Sequence, residues 1–394
     1  MKYILEENAR YCLKAFFVFL SCLFFFGCKT APESESENES YGFTYADYKI
    51  QPASYKIPGD GKDNFTIAVL PDIQSYTRKR SQKDKNKKCS MNNYTLLYDQ
   101  VDYVAKNTIA KGGPIVFAVF LGDMVQCLGR TTCEWVYANN AVKKLDSLIP
   151  YSVIIGNHDY DKLVEDKEQN KDFLVGTKKF EKYFGPKSKH FAGKEWYKGH
   201  SPDNLASCIV FNAGEKKILY IGLAFEPSDE ELKWGQEQIN KYPDLPVIVA
   251  THGYLNSKGN FFGLENHNPV EGNSAQDVYE KFIYPNKNIF LVLCGHAFSD
   301  SIKGEARRAD KNIAGYTVYS LLSNYQGRMD YYRVAGFPGR PEESGDGFFR
   351  LMNFDVKKKK IYVQTYSTAF DCFETDEDSE FVLDISDFSK RFGW

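Results

Sequence analysis

Five apolar runs in this chain end in the same way. Residues 65–70 run into Pro71-Asp72-Ile73-Gln74, and residues 115–121 into Gly122-Asp123-Met124-Val125-Gln126. Residues 151–155 run into Gly156-Asn157-His158-Asp159, residues 247–250 into Thr251-His252, and residues 289–294 into Gly295-His296. Short continuous apolar runs bounded by Gly or Pro read as strands buried on both faces. In α/β sheets ligands gather beyond the carboxyl ends of the strands, which is where each run delivers a carboxylate, an amide or an imidazole. Any one of these ends has an ordinary reading. Asp72 or Asp123 alone fits a helix N-cap, Gln74 a turn amide, and His252 or His296 a satisfied buried imidazole. Five together form a constellation, and its span from residue 72 to 296 favours one large domain over two or three.

The side chains so collected suit divalent cations. Mixed oxygen and nitrogen donors match Mn, Fe or Zn. Asp123 is the natural bridging ligand, because a carboxylate has two oxygens to share. A centre of this kind makes a nucleophile of water near neutral pH and holds phosphoryl oxygens. An imidazole outside the ligand set can then protonate the leaving alkoxide, and His158 held by Asp159 fits that part.

The ordered set Asp72-Ile73-Gln74, Gly122-Asp123, Gly156-Asn157-His158-Asp159, Thr251-His252 and Gly295-His296 resembles the calcineurin-like metallophosphoesterases. The resemblance implies an α/β fold, a two-sheet β-sandwich flanked by helices, with metals at the loops after the strands. It implies that Asp123 bridges, that Asn157, His252 and His296 complete one metal site, and that Asp72 and Gln74 belong to the other. His158 assists the leaving group and Asp159 orients it. Two departures fall on the site containing Asp72. Gln74 stands where many members carry a histidine, and Gly295-His296-Ala297-Phe298 puts Phe298 where a second histidine is usual. Counting ligands therefore predicts one intact site and one weak or empty site, unless Asp300 substitutes. Gln126 is placed to tune the shell around Asp123.

The implied activity is hydrolysis of phosphomonoesters or phosphodiesters. A catalytically impaired, single-metal surface binding protein on the same fold is the alternative that Phe298 favours. A charge of −2 over 394 residues gives no bias towards nucleic acid or anionic membrane, so no nucleic-acid partner is expected. No protein partner can be inferred.

Upstream, residues 1–28 combine Lys2, Arg10 and Lys14 with the apolar stretch 15–26 and end in Gly27-Cys28. This is the pattern of a signal peptide cut before a lipid-modified Cys28, with plain secretion as the alternative. The expected location is the cell envelope or surface, with membrane attachment through the lipid alone. Residues 29–62 read as an acidic tether and lead-in, and residues 63–390 as the metallophosphoesterase domain. The basic loop 78–88 is a solvated insertion that could draw anions towards Asp72. Helices are expected over 93–110, 133–148, 163–183 and 274–283, with a further helix after a capping box at Ser228 and Glu231. A hairpin is expected over 208–225, turning at Gly214-Glu215-Lys216. The late strands near 316–323, 348–356, 361–366 and 380–385 suggest a second, more antiparallel sheet. Arg307, Asn324 and Gln326 are candidates for a substrate pocket, and 327–347 for an excursion near it. His190, His200 and His267 read as bystanders in polar loops. Cys127–Cys133 is the best disulfide pairing, and Cys294 a buried thiol.

Overall fold

The computed structural model describes residues 50–52, 62–77, 96–126, 128, 131–166, 171–265, 272–298, 304–328 and 345–394. Cys28, Cys127, Asp300, the basic loop 78–88 and most of 327–347 lie outside them, as do the segments expected to be a signal and a tether, save residues 50–52 and 62. Among the described residues no helix is long and apolar enough to cross a membrane.

Strands β1 (Ile50–Pro52), β2 (Asn64–Leu70), β3 (Ile115–Phe120) and β4 (Tyr151–Val153) open the first sheet, and β5 (Lys162–Asp166) with β6 (Lys171–Val175) forms a separate hairpin. The second sheet comprises β7 (Tyr197–His200), β8 (Ser207–Ala213), β9 (Lys216–Gly222), β10 (Val247–Ala250), β11 (Ile289–Cys294), β12 (Glu305–Lys311) and β13 (Thr317–Ser323). The chain then returns to the first sheet through β14 (Phe348–Asp355), β15 (Lys360–Ser367), β16 (Cys372–Glu374) and β17 (Phe381–Asp384). The sheet orders are β1-β16-β15-β14-β2-β3-β4, with β17 beside β15, and β12-β13-β11-β10-β9-β8-β7.

This arrangement follows from side-chain alternation. Phe65, Ile67 and Val69 of β2 meet Ile218, Ile248 and Phe290 of the second sheet in a core between the two sheets. Ala68 and Leu70, one residue out of phase, face a different core with Leu97 and Val101 of the helix Leu96–Lys106 and Trp135 of the helix Thr132–Val142. The outer face of the second sheet is covered by Leu232 and Ile239 of the helix Asp229–Lys241 and by Phe282. Strands β2, β3 and β4 are parallel neighbours, as are β9, β10, β11 and β13. Both faces of each parallel set are therefore apolar, which is why these runs read as unbroken hydrophobic stretches.

Two expectations are corrected. The late strands β14 to β17 extend the first sheet, β14 pairing antiparallel with β2 in a register of Leu351 with Ala68. Local sequence carries no record of which partner a strand will choose. The helix expected over 163–183 is a hairpin, β5–β6, followed by the short helix Lys178–Phe184. Leu163 pairs with Leu174 and both pack on the core while Val164 points outward, a period of two that outweighs helix propensity. The 208–225 hairpin turns where expected, Ala213 pairing with Lys216 across Gly214 at φ +65°.

Where the sheets meet near β12 and β16, Glu305, Arg328, Arg350 and Glu374 form a buried charge cluster. Glu305 bonds Arg350 at 2.7 Å and Arg328 at 3.2 Å, and Arg328 also pairs with Glu374. Tyr325 and Thr365 donate to Glu305 at 2.8 Å each, and Ser379 at 2.7 Å.

At the start of the helix Asp229–Lys241, Ser228 accepts from Glu231 N as a cap should. The Glu231 carboxyl reaches Ala224 N at 2.6 Å, so it ties helix to strand end and does not close a reciprocal box. Burial, with Asp203 adding to it, pushes that carboxyl up to about 8 from an ordinary 4.5. The folded state therefore binds more protons between those values, and stability falls as pH rises through that window. Glu231→Gln removes this slope. Urea melts at pH 5, 7 and 9 should show the variant gaining on the parent protein as pH rises, and a difference constant across pH would refute the assignment.

Candidate metal centre

The chain reverses abruptly after β2, β3 and β11, and it does so with left-handed backbone at non-glycine residues. Asp72 has φ +40°, Asp123 +52° and His296 +68°. Residues other than Gly adopt this region at a cost, and such strain collects at functional sites. The glycines beside them are set by close approach. A Cβ on Gly156 would lie 2.2 Å from Asp123 Oδ1, and one on Gly295 would lie 2.1 Å from Asp72 Oδ2.

These reversals bring the expected ligands to one point. His252 Nε2 lies 3.3 Å from Asp123 Oδ1, 3.9 Å from Asp72 Oδ1 and 3.1 Å from Asn157 Oδ1. His296 Nδ1 lies 3.1 Å from the same Asn157 oxygen. Ligand atoms of Asp72, Asp123 and His252 fall within 4.8 Å of one another, and all three residues are buried. The far nitrogen of each histidine is already engaged. His252 Nδ1 donates to Leu121 O at 2.6 Å, and His296 Nε2 faces Glu265 Oε1 at 3.2 Å. With those nitrogens carrying the protons, the inward ones present lone pairs to the Asn157 oxygen, an arrangement that a cation between them resolves. Phe225 and Phe262 wall the His296 ring, with centroids 4.9 and 4.8 Å away.

The electrostatics point the same way. Burial pushes the Asp72 carboxyl well up, His252 opposing and Asp123 reinforcing the shift. Burial acts likewise on Asp123, but the positive fields of His252 and then His158 overcome it and hold that carboxyl far below the usual range. His252, lowered by burial and raised by Asp123 and Asp72, ends at about 10. A buried site that draws a proton so strongly onto an imidazole is short of positive charge, and a divalent ion supplies it.

Gln74 occupies the side of Asp123 away from this convergence. It is buried, its Nε2 donates to Asp123 Oδ2 at 2.8 Å, and its Oε1 has no partner among the described residues. Phe298 is 40% exposed and lies against Gly327. The donor set thus fits a cation among Asp72, Asp123 and His252, with the Asn157 oxygen and His296 beside them.

The role expected of Asp159 is corrected. Its carboxylate accepts from Met124 N at 2.7 Å, Val125 N at 3.2 Å and Gly156 N at 2.9 Å, and so clasps backbone. His158 is oriented instead by the carbonyl of Gln126, which accepts from Nδ1 at 2.8 Å. Gln126 therefore acts through its main chain. Asn324 is fully buried and donates to His296 O at 2.8 Å, which makes it a support for the loop behind the centre and not a pocket wall. Arg307 stacks on Phe381 at 4.6 Å, and Gln326 is half-buried, its backbone N donating to Asn324 Oδ1. His190 is buried against Tyr151 and Asp146, so it belongs to the core. Glu265 and Glu134 were invisible in the sequence, since no spacing ties either to a motif. Cys294 is a free buried thiol; Cys133 is disulfide-bonded to a partner outside the described residues.

The calcineurin-like phosphoesterase profile matches residues 65–298, from the start of β2 to the residue that replaces the last histidine. The chain belongs to the calcineurin-like phosphoesterase family. Among curated proteins it is 28% identical over 311 residues to the uncharacterized protein YvnB of Bacillus subtilis (strain 168), covering 78% of this chain and 20% of that one. The chain thus spans about a fifth of that relative's length. Among solved structures it is similar to TT1561 of Thermus thermophilus, at 10% identity and a TM-score of 0.34 over 77% of this chain and 99% of that one. It is also similar to a 5'-nucleotidase from Candida albicans SC5314, at 11% identity and a TM-score of 0.32 over 68% and 46% of the two chains. Likenesses this distant carry no weight for site or substrate. The two-sheet α/β fold and the strand-end site stand on the family match and the strand order.

Mn at about 100 times its dissociation constant should stabilise the protein by about 2.7 kcal/mol. In Gly156→Ala, where Asp123 must move, the gain at the same Mn concentration should fall to about 0.4–1.4 kcal/mol, because loss of ligand support typically costs about 10- to 100-fold in affinity. Thermal melts with Mn and with EDTA measure both, and a parent protein that melts alike in the two would argue against a metal centre.

Proposed function

We propose that this chain is a metal-dependent phosphoesterase that hydrolyses phosphomonoesters or phosphodiesters, exported and anchored through lipid on Cys28. The observation that carries the catalytic part is the convergence of Asp123, Asn157, His252 and His296 beside an imidazole, His158, whose Nδ1 is committed to a carbonyl. Export and anchoring rest on the sequence of residues 1–28 alone.

Asp72, Asp123 and His252 would hold the cation, with Asn157 and His296 beside them and Gln74 on the weaker side. Bound there, a divalent ion acidifies water and offsets charge on phosphoryl oxygens. The protein's own groups do the rest. Asp159 keeps the Asp123 loop and Gly156 in register through three backbone amides. Because Nδ1 of His158 donates to Gln126 O, Nε2 faces the substrate; as the imidazolium it gives its Nε2 proton to the departing alkoxide oxygen and is left as the neutral Nδ1–H ring. The Phe225 and Phe262 rings against His296 limit water around the ligands.

A second reading, a single-metal binding protein without turnover, is favoured by Gln74 spending its amide N–H on Asp123. The two are separated by loading residues 29–394 with Mn and assaying an aryl phosphomonoester and an aryl phosphodiester. Asp123→Asn should lose about 100-fold or more, and His158→Ala about 10²- to 10⁴-fold on an alkyl phosphoester, whose alkoxide needs the proton, and much less on the aryl esters. Bound metal counted by elemental analysis should be one per chain. No turnover by the parent protein would leave the binding reading, and two fully occupied metals would overturn the role given to Gln74.

A further inference from the structure

The loop after β3 is held at three consecutive amides by carboxylates. Asp159 takes Met124 N and Val125 N, and Glu134 Oε2 takes Gln126 N at 3.0 Å. On its other side Gln126 presents the carbonyl that holds His158 Nδ1 at 2.8 Å. Residue 126 is thus the link between Glu134 and the imidazole, and it is fixed from both ends.

We propose that Glu134 is a positioning residue for His158, acting through the main chain of Gln126; this rests on the phosphoesterase reading above for its kinetic consequence. Glu134 lies in the first turn of the helix Thr132–Val142 and is 1% exposed. A Glu at the third position of a helix ordinarily reaches back to its own N-cap amide. Here Thr131 makes no side-chain cap bond, and the Glu134 carboxylate crosses to a loop eight residues upstream. Burying a carboxylate is costly without a strong donor, and the helix N-terminus and the Gln126 amide together offset that cost. Cys133, the preceding residue, is disulfide-bonded, which anchors the same turn. A carbonyl accepts from one neutral tautomer alone, so fixing Gln126 O fixes the resting proton on Nδ1 and leaves Nε2 as the nitrogen that takes up, and then gives, the second proton of the imidazolium. Displacing an acid by about 1 Å can cost about 100-fold in rate.

The consequence is selective. A misplaced general acid harms esters whose alkoxide needs a proton and spares those whose aryloxide leaves without one. The Mn-loaded parent protein, Glu134→Ala, Glu134→Gln and His158→Ala would be assayed on an alkyl phosphoester and a 4-nitrophenyl phosphoester. Glu134→Ala should lose roughly tenfold or more in kcat on the alkyl ester and less than about threefold on the nitrophenyl ester, with KM little changed. Glu134→Gln, whose amide oxygen still accepts from Gln126 N, should recover most of the loss. Equal losses on both esters, or none, overturn the proposal. A second measurement does not depend on turnover: the ring nitrogens of His158 in zinc-loaded, ¹⁵N-histidine-labelled protein should show a single Nδ1–H tautomer in the parent and a mixture in Glu134→Ala. An unchanged tautomer overturns the proposal. Absence of turnover in the parent protein, with the tautomer shift present, counts against the phosphoesterase reading and supports the positioning role.

Discussion

The Asp159 carboxylate, fully buried, holds the centre of this molecule together by accepting from three backbone amides on two different loops. That clasp, with His158 N and Gln74 Nε2 donating to Asp123 itself, offsets the left-handed backbone at Asp123 and the close approach of Gly156 to its carboxylate. The strain is held locally by charge-assisted bonds in a dry environment, where such bonds are strong. Burial and the neighbouring Asp123 charge push the Asp159 carboxyl well above its ordinary value, and the Gly156 and Met124 amides act against that shift. One side chain thus sets the spacing between the ligand from β3 and the ligands after β4.

The two histidines approach Asn157 from the other sheet. His252 follows β10 and His296 follows β11, parallel neighbours, and the reversal at His296 brings the two rings to a centroid distance of 5.0 Å. Supports behind them are polar and local: Leu121 O for His252, Glu265 for His296, and Asn324 under the His296 carbonyl. Leu121 O and Glu265 select which ring nitrogen carries the proton, and Asn324 holds the His296 main chain.

How much of this was legible in the sequence follows from range. The convergence of Asp72, Asp123 and His252 was legible because each sits at a fixed offset from an apolar run, and the parallel strands were legible because both faces are buried. The partner of each strand was not, and so β14 to β17 were grouped with β13 in a second sheet, although β14 pairs with β2 over Arg350–Asp355. The β5–β6 hairpin was missed because Leu163 and Leu174 declare their period only when paired. The support of His158 was misassigned to the adjacent Asp159, since sequence proximity suggested a contact that the backbone instead provides from Gln126, thirty-two residues away. Glu134, Glu265 and the Glu305 cluster carry no local signature at all.

That cluster has a consequence for how the sequence can vary. Glu305 comes from the second sheet and Glu374 from the first, while Arg350 lies on β14 and Arg328 follows β13, so two acids and two bases are matched across the layers. Losing one member strands a charge in a medium that cannot solvate it, at a cost of about 3–5 kcal/mol, whereas exchanging the whole set for apolar residues of like volume is close to neutral. Change at these four positions is therefore coupled energetically, and it extends to Tyr325, Thr365 and Ser379, whose hydroxyls donate to Glu305.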